Sequence, residues 1–223
     1  MSAVRAVLTL ALLSGASTAA PCYGRLNATY IFEEVCYKAV YNGTGGLQLR
    51  EYSTPATLVS YNASDAITVY QEALMETSFY VLEYFIGPGN ALNKSLLSSR
   101  TVPLTLRPPS AANPAWRGAM ALAPSLWPAG KTPPQPAYGV ELLPFGGKRP
   151  VLLAVQRAST SQSPQPSDFD ALCAGLRAAV AKQLPAYAVD DASLFTPTHA
   201  RYFAFEFYGE AFEYECWLGV KKA

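Results

Sequence analysis

The 223-residue chain is poor in the groups that most enzymes use: it has one histidine, His199, and only 15 % charged residues. His199 lies in the loop-like run Pro197-Thr198-His199-Ala200 and reads as structural. No Ser-His-Asp set and no Gly-x-Ser-x-Gly elbow is recognisable. Glycine-rich phosphate loops of the Gly-x-Gly-x-x-Gly or Walker type are also missing, and Gly43-Thr44-Gly45-Gly46 is a turn beside a glycosylation sequon. Zinc has no CxxC or Cys/His spacing to occupy, so no metal site is expected. A net charge of +1 gives no electrostatic reason to bind nucleic acid or an anionic membrane. Beyond the first twenty residues no apolar run reaches eighteen, so no membrane anchor is expected. By inventory a binding domain is expected before an enzyme.

What is present points outside the cell. Arg5 precedes the apolar run Ala6–Leu13, and Ser14–Ala20 supplies small residues. Eight apolar residues cannot cross a hydrocarbon core but suit a secretory signal, predicted to be cleaved after Ala19 or Ala20. Asn-X-Ser/Thr sequons stand at Asn27, Asn42, Asn62 and Asn93, while Pro114 disqualifies Asn113. Four cysteines, Cys22, Cys36, Cys173 and Cys216, predict two disulfides drawn from three possible pairings. A Cys22–Cys36 bridge would pin a short N-terminal arm, and Cys173–Cys216 would staple a helix to the C-terminal strand. The expected product is a secreted, extracellular glycoprotein: a signal over 1–20, an arm over 21–46 and a single domain over 47–223.

Hydrophobic patterning gives an α+β chain. Leu47–Tyr52 alternates apolar and polar residues as a half-buried strand does, and Ala56–Asn62 reads as a second strand. A helix is expected from Asp65 to about Ile86, capped by Ser64 or Asp65 and stopped by Gly87-Pro88-Gly89. It carries two adjoining apolar stripes: Ile67, Tyr70, Leu74, Val81 and Phe85, and then Met75, Phe79, Leu82 and Ile86. That surface is wider than a one-sided helix needs, so the second stripe is covered by the fold or meets a ligand or partner. Leu96–Leu106 looks extended, with Pro103 marking an edge or bulge. Strand candidates follow at Trp116–Leu122, Val140–Leu143 and Val151–Val155, with a loop over Pro124–Pro136. A second helix has Ser167 as cap, Asp170 as capping-box partner and Leu172, Leu176, Val180 and Leu184 as its buried stripe. Two last strands, Arg201–Tyr208 and Phe212–Val220, complete a repeat of two strands, helix, two strands. Glu206, Glu210, Glu213 and Glu215 on this final hairpin read as alternate positions on exposed strand faces rather than as an acid/base pair.

Four segments in order carry a resemblance. Leu47–Tyr52 (LQLREY) with Pro55–Ser60 (PATLVS), Tyr84–Asn90 (YFIGPGN), Arg100–Leu104 (RTVPL), and Tyr208-Gly209-Glu210 followed by Glu215–Leu218 (ECWL) resemble motifs of the SOUL haem-binding family. The resemblance runs from about Tyr41 to the C-terminus. It implies a distorted antiparallel β-barrel of two βαβ-type halves flanked by two helices. It also implies non-covalent binding of haem or a related tetrapyrrole in an apolar groove beside the first helix, as a carrier or scavenger. Met75, Phe79, Leu82 and Val102 are the apolar candidates for that groove. Where family members commonly carry basic residues late in the first helix, this chain has Tyr80 and Glu83. Tyr80 could donate a hydrogen bond or ligate iron, while Arg100 and Lys94 are the candidates to pair a propionate. The acidic helix and the long Pro-rich insertion favour a second expectation, an extracellular interaction module that has lost haem.

Overall fold

A computed structural model describes residues 22–25, 31–96, 101–110, 113–127, 131–204 and 212–223. The predicted signal, Asn27, Arg100, Glu206 and Glu210 lie outside them. The elements in order are β1 (Cys22–Arg25), β2 (Ile31–Glu34), β3 (Lys38–Asn42), β4 (Gln48–Tyr52), β5 (Ala56–Asn62), α1 (Tyr70–Ile86), β6 (Thr101–Arg107), β7 (Arg117–Ala121), β8 (Glu141–Phe145), β9 (Val151–Thr160), α2 (Pro166–Gln183), β10 (Tyr187–Val189), β11 (Thr198–Ala204) and β12 (Phe212–Lys222).

Among the described residues, β1 and β2 form a two-stranded ribbon. The other strands form a ten-stranded antiparallel sheet ordered β3-β4-β9-β12-β11-β6-β7-β5-β8, with β10 added on β12. The sheet curls into a half-barrel with two helices packed on it. Its far edge returns towards its start: Phe145 of β8 packs edge-on against Tyr52 of β4 at 4.9 Å, and Gly147 donates its N–H to the Ser53 carbonyl at 3.1 Å.

Strand alternation divides the core by face. On the outer face, Leu104, Leu106 and Met120 pack with Val59 against Leu74, Val81 and Phe85 of α1. Also on that face, Leu49, Ala154 and Leu218 meet Leu176 and Val180 of α2. The intervening residues point into the half-barrel, where Val35, Tyr52, Phe145, Leu153 and Val155 form a third cluster. Gly118 lets α1 approach β7 closely, because a methyl group there would overlap the Thr77 side chain. The two bridges are Cys22–Cys36, closing the β1–β2 ribbon, and Cys173–Cys216, joining α2 to β12.

Two helix starts differ from expectation. α1 begins at Tyr70 with Val69 as its N-cap and no side-chain cap. Ser64 instead closes a turn, its carbonyl accepting from the N–H of Ile67 at 2.9 Å. The β-branched run Ile67-Thr68-Val69 resists helical χ1 packing, so the first predicted turns do not form. α2 starts at Pro166, with Gln165 and Asp168 as its capping box in place of Ser167 and Asp170. Proline's fixed φ and missing N–H suit the first helical position. Pro103 pairs with Tyr202 of β11 but lies beyond the stretch of β6 that β7 reaches, so its missing N–H breaks no ladder.

Candidate functional site

The structure separates the residues expected from sequence. Of α1's second apolar stripe, Met75 is 65 % exposed, Phe79 57 % and Ile86 48 %, whereas Leu82 is partly buried against the core. Tyr80 is half-buried and stacks on Tyr61 with ring centroids 4.4 Å apart. Phe79 meets Tyr80 edge-on at 5.3 Å, and the exposed Tyr138 stands 6.5 Å from Tyr80. An aromatic platform therefore lies open beside α1. Tyr61 donates its hydroxyl to Glu76 at 3.2 Å, and burial, then that carboxylate, pushes its pKa up to about 12. Val102 belongs to β6 through pairing with Phe203, but its side chain lies outside the described part, as does Arg100 altogether. Lys94 is exposed just past the helix end, and α1 itself contains no Lys or Arg.

The described side chains of this platform are apolar or phenolic, with no imidazole or thiol among them. His199 is 3 % exposed and stacks on Phe169 at 4.6 Å, away from the platform. The oxygens of the platform's aromatic group are the phenols of Tyr61, Tyr80 and Tyr138. Among the described residues no group of three or more His, Cys, Asp or Glu side chains could hold a metal ion.

A second site lies on the opposite face of the sheet, within the half-barrel. A cavity of about 120 Å³ is walled by Leu58, Ala119, Leu143, Phe145, Phe195 and Trp217. Charged side chains also line it, Glu34, Arg50, Arg107 and Arg117, each brought inward by strand alternation or by the arm. Glu215, 0 % exposed, is the anionic centre of the neighbouring network. Arg50 donates to it from Nη2 at 3.0 Å and Nη1 at 3.3 Å, Arg157 from Nη2 at 2.8 Å and Nε at 2.9 Å, and Trp217 from Nε1 at 2.7 Å. Burial alone would raise the Glu215 pKa, but Arg50 and Arg157 with these hydrogen bonds hold it below the usual carboxylate range. Glu34 shows the opposite balance: burial outweighs the attraction of Arg50 and raises its pKa.

Glu215 therefore corrects the expectation of an exposed face. Glu213 keeps a surface-type pairing with Arg157 at 3.1 Å, while Glu215, two residues on, is fully enclosed. The interior cluster was not legible because Leu49-Arg50 and Leu106-Arg107 look like half-solvated strands. In a sheet curled on itself the second face is also buried. The available signal was the recurrence of arginine at inward positions of three strands, β4, β6 and β7.

No family model and no curated protein matches the chain. Among solved structures, the chain is similar to a hydrolase from Listeria innocua at 12 % identity and a TM-score of 0.38, covering 81 % of this chain and 94 % of that one.

Proposed function

We propose that the protein is a secreted, non-enzymatic carrier or scavenger of a tetrapyrrole, haem or a porphyrin, bound without a covalent link on the α1 platform. The observation that carries this is the exposure of Met75, Phe79 and Ile86 on a helix whose other apolar stripe is fully packed. Large apolar side chains clustered in water mark a binding surface. The sequence resemblance to SOUL proteins supplies the ligand class. Tyr80 and Tyr138 flank the platform and offer hydroxyls at its rim, and Lys94 is the described cation on the α1 side for a propionate. Secretion is supported by the leader sequence and by both disulfides, and the exposed sequons Asn42 and Asn93 are open to glycosylation. The described helices include none long and apolar enough to cross a membrane.

Strand order supports an internal duplication. The run β9-β12-β11 in the second half stands where β5-β7-β6 stands in the first, and the helix follows β9 as it follows β5.

The test is a haemin titration of the secreted, glycosylated protein, read at the Soret band. A saturable one-site shift is expected. Phe79→Ala removes a ring that is already largely exposed, so it should weaken binding by about 1–2 kcal/mol, roughly 5- to 30-fold, with little loss of stability. Tyr80→Ala should weaken it as well. Unchanged curves in both variants discard the platform. A second reading, an extracellular interaction module, is favoured by the absence of any cation on α1. It predicts no haemin binding above that of an unrelated protein with an apolar surface.

A further inference from the structure

We propose that the cavity inside the half-barrel is a separate binding site for a small organic acid, with the carboxylate on Arg107 and a compact hydrocarbon body against the apolar wall. Arg107 lines this cavity and is 3 % exposed. Its Nη2 donates to Ser110 Oγ at 3.0 Å, but Nε and Nη1 are enclosed with no hydrogen-bond partner among the described residues. The other two arginines at the cavity have acidic partners: Arg50 has Glu215 at 3.0 Å, and Arg117 has Glu141 at 3.3 Å. Arg107 instead faces Arg117 directly across the β6–β7 pair. Its pKa is lowered first by burial and then by the like charge of Arg117. A desolvated cation without a counter-charge is costly, and an entering anion offsets that cost.

Size and lining select among anions. An apolar cavity of about 150 Å³ accommodates benzene, whereas drug-sized ligands occupy roughly 300–1,000 Å³. At about 120 Å³ this one is on the scale of a single small ring or a short alkyl chain, with the carboxylate outside that volume on Arg107, and it is too small for a macrocycle. Leu58, Leu143, Phe145 and Phe195 offer a hydrocarbon body contacts that a fully hydrated inorganic anion could not use. The site is on the other face of the sheet from the α1 platform and is independent of tetrapyrrole binding.

Isothermal titration of the full chain with benzoate, its neutral isostere benzamide, and inorganic phosphate tests this. Benzoate should bind with saturable one-to-one stoichiometry, and benzamide and phosphate at least tenfold more weakly. Arg107→Met should weaken benzoate at least tenfold. Ala121→Leu, which fills the cavity but keeps Arg107, should do the same and guards against a folding defect in the first variant. Phe79→Ala should leave benzoate affinity unchanged. Absence of benzoate binding, benzamide or phosphate binding as tightly, or full affinity in a folded Arg107→Met protein overturns the proposal.

Discussion

Replacing Glu215 by Gln keeps the shape of the side chain and removes its charge, so it isolates what the buried carboxylate does. Five hydrogen bonds from Arg50, Arg157 and Trp217 converge on it. The two arginines are not equivalent. Arg157 has a side chain 35 % exposed and keeps Glu213, so it can turn to water. Arg50 is 3 % exposed, and its contacts with the Gln48 Oε1, at 2.8 and 3.0 Å, and with the Tyr37 ring, 4.5 Å away, carry no compensating charge. Breaking a buried ion pair from one side costs about 3–5 kcal/mol, and here most of it falls on Arg50. For a chain of this size that corresponds to a melting point lower by roughly 6 to 20 °C. Urea unfolding of wild type, Glu215→Gln and the double variant Arg50→Met/Glu215→Gln measures it. The double variant should regain at least half of the loss, because the stranded cation is gone. Acid titration supplies a second readout. The folded pKa of Glu215 is depressed, so its contribution is full above the unfolded value of about 4.3 and disappears as pH falls through the folded value. Glu34, raised in the folded state, works in the opposite sense: its ionised form costs stability at neutral pH, and protonation relieves this as pH falls through its folded value. Glu215→Gln should therefore flatten the acid limb. A loss below about 1 kcal/mol with an unchanged acid limb would refute the assignment of Glu215 as the charge that holds Arg50 in the interior.

Two further predictions concern the outer face. Removing the bridge between Cys173 and Cys216, which closes 43 residues, by a double alanine substitution should cost roughly 4 kcal/mol by loop entropy, read by denaturant unfolding; a loss under about 1 kcal/mol would mean that α2 docking needs no staple. Gly118→Ala places a methyl into the Thr77 side chain and should destabilise by about 1–3 kcal/mol in denaturant unfolding; a loss under about 0.5 kcal/mol would mean that the α1–β7 contact is not limited by crowding at this position.

Local chemistry carried the secondary structure, and its errors are as instructive as its successes. Ala56–Asn62 is a strand with the bounds that alternation gives, and α1 stops at Gly87, whose φ of 136° only glycine adopts readily. α1 starts at Tyr70 and not at the Ser64 cap because the β-branched residues that follow Ser64 oppose helix more strongly than the cap favours it. Pairing of the cysteines stayed open in sequence because three connectivities fit four residues. It was closed by register: β12 brings Cys216 onto the α2 side of the sheet, where Cys173 projects from the helix.

The sequence by itself determined the class of chain: few catalytic groups, strand and helix segments in a given order, an apolar stripe on α1 beyond what packing needs, and an even set of cysteines. Only the tertiary structure decided that Met75, Phe79 and Ile86 of this stripe stay in water, that Glu215 is buried, and that Arg107 stands enclosed beside a cavity with its Nε and Nη1 unpaired among the described residues. The reason is geometric. Alternation tells which residues share a face of a strand, but whether that face meets solvent or the opposite wall depends on how the whole sheet curls.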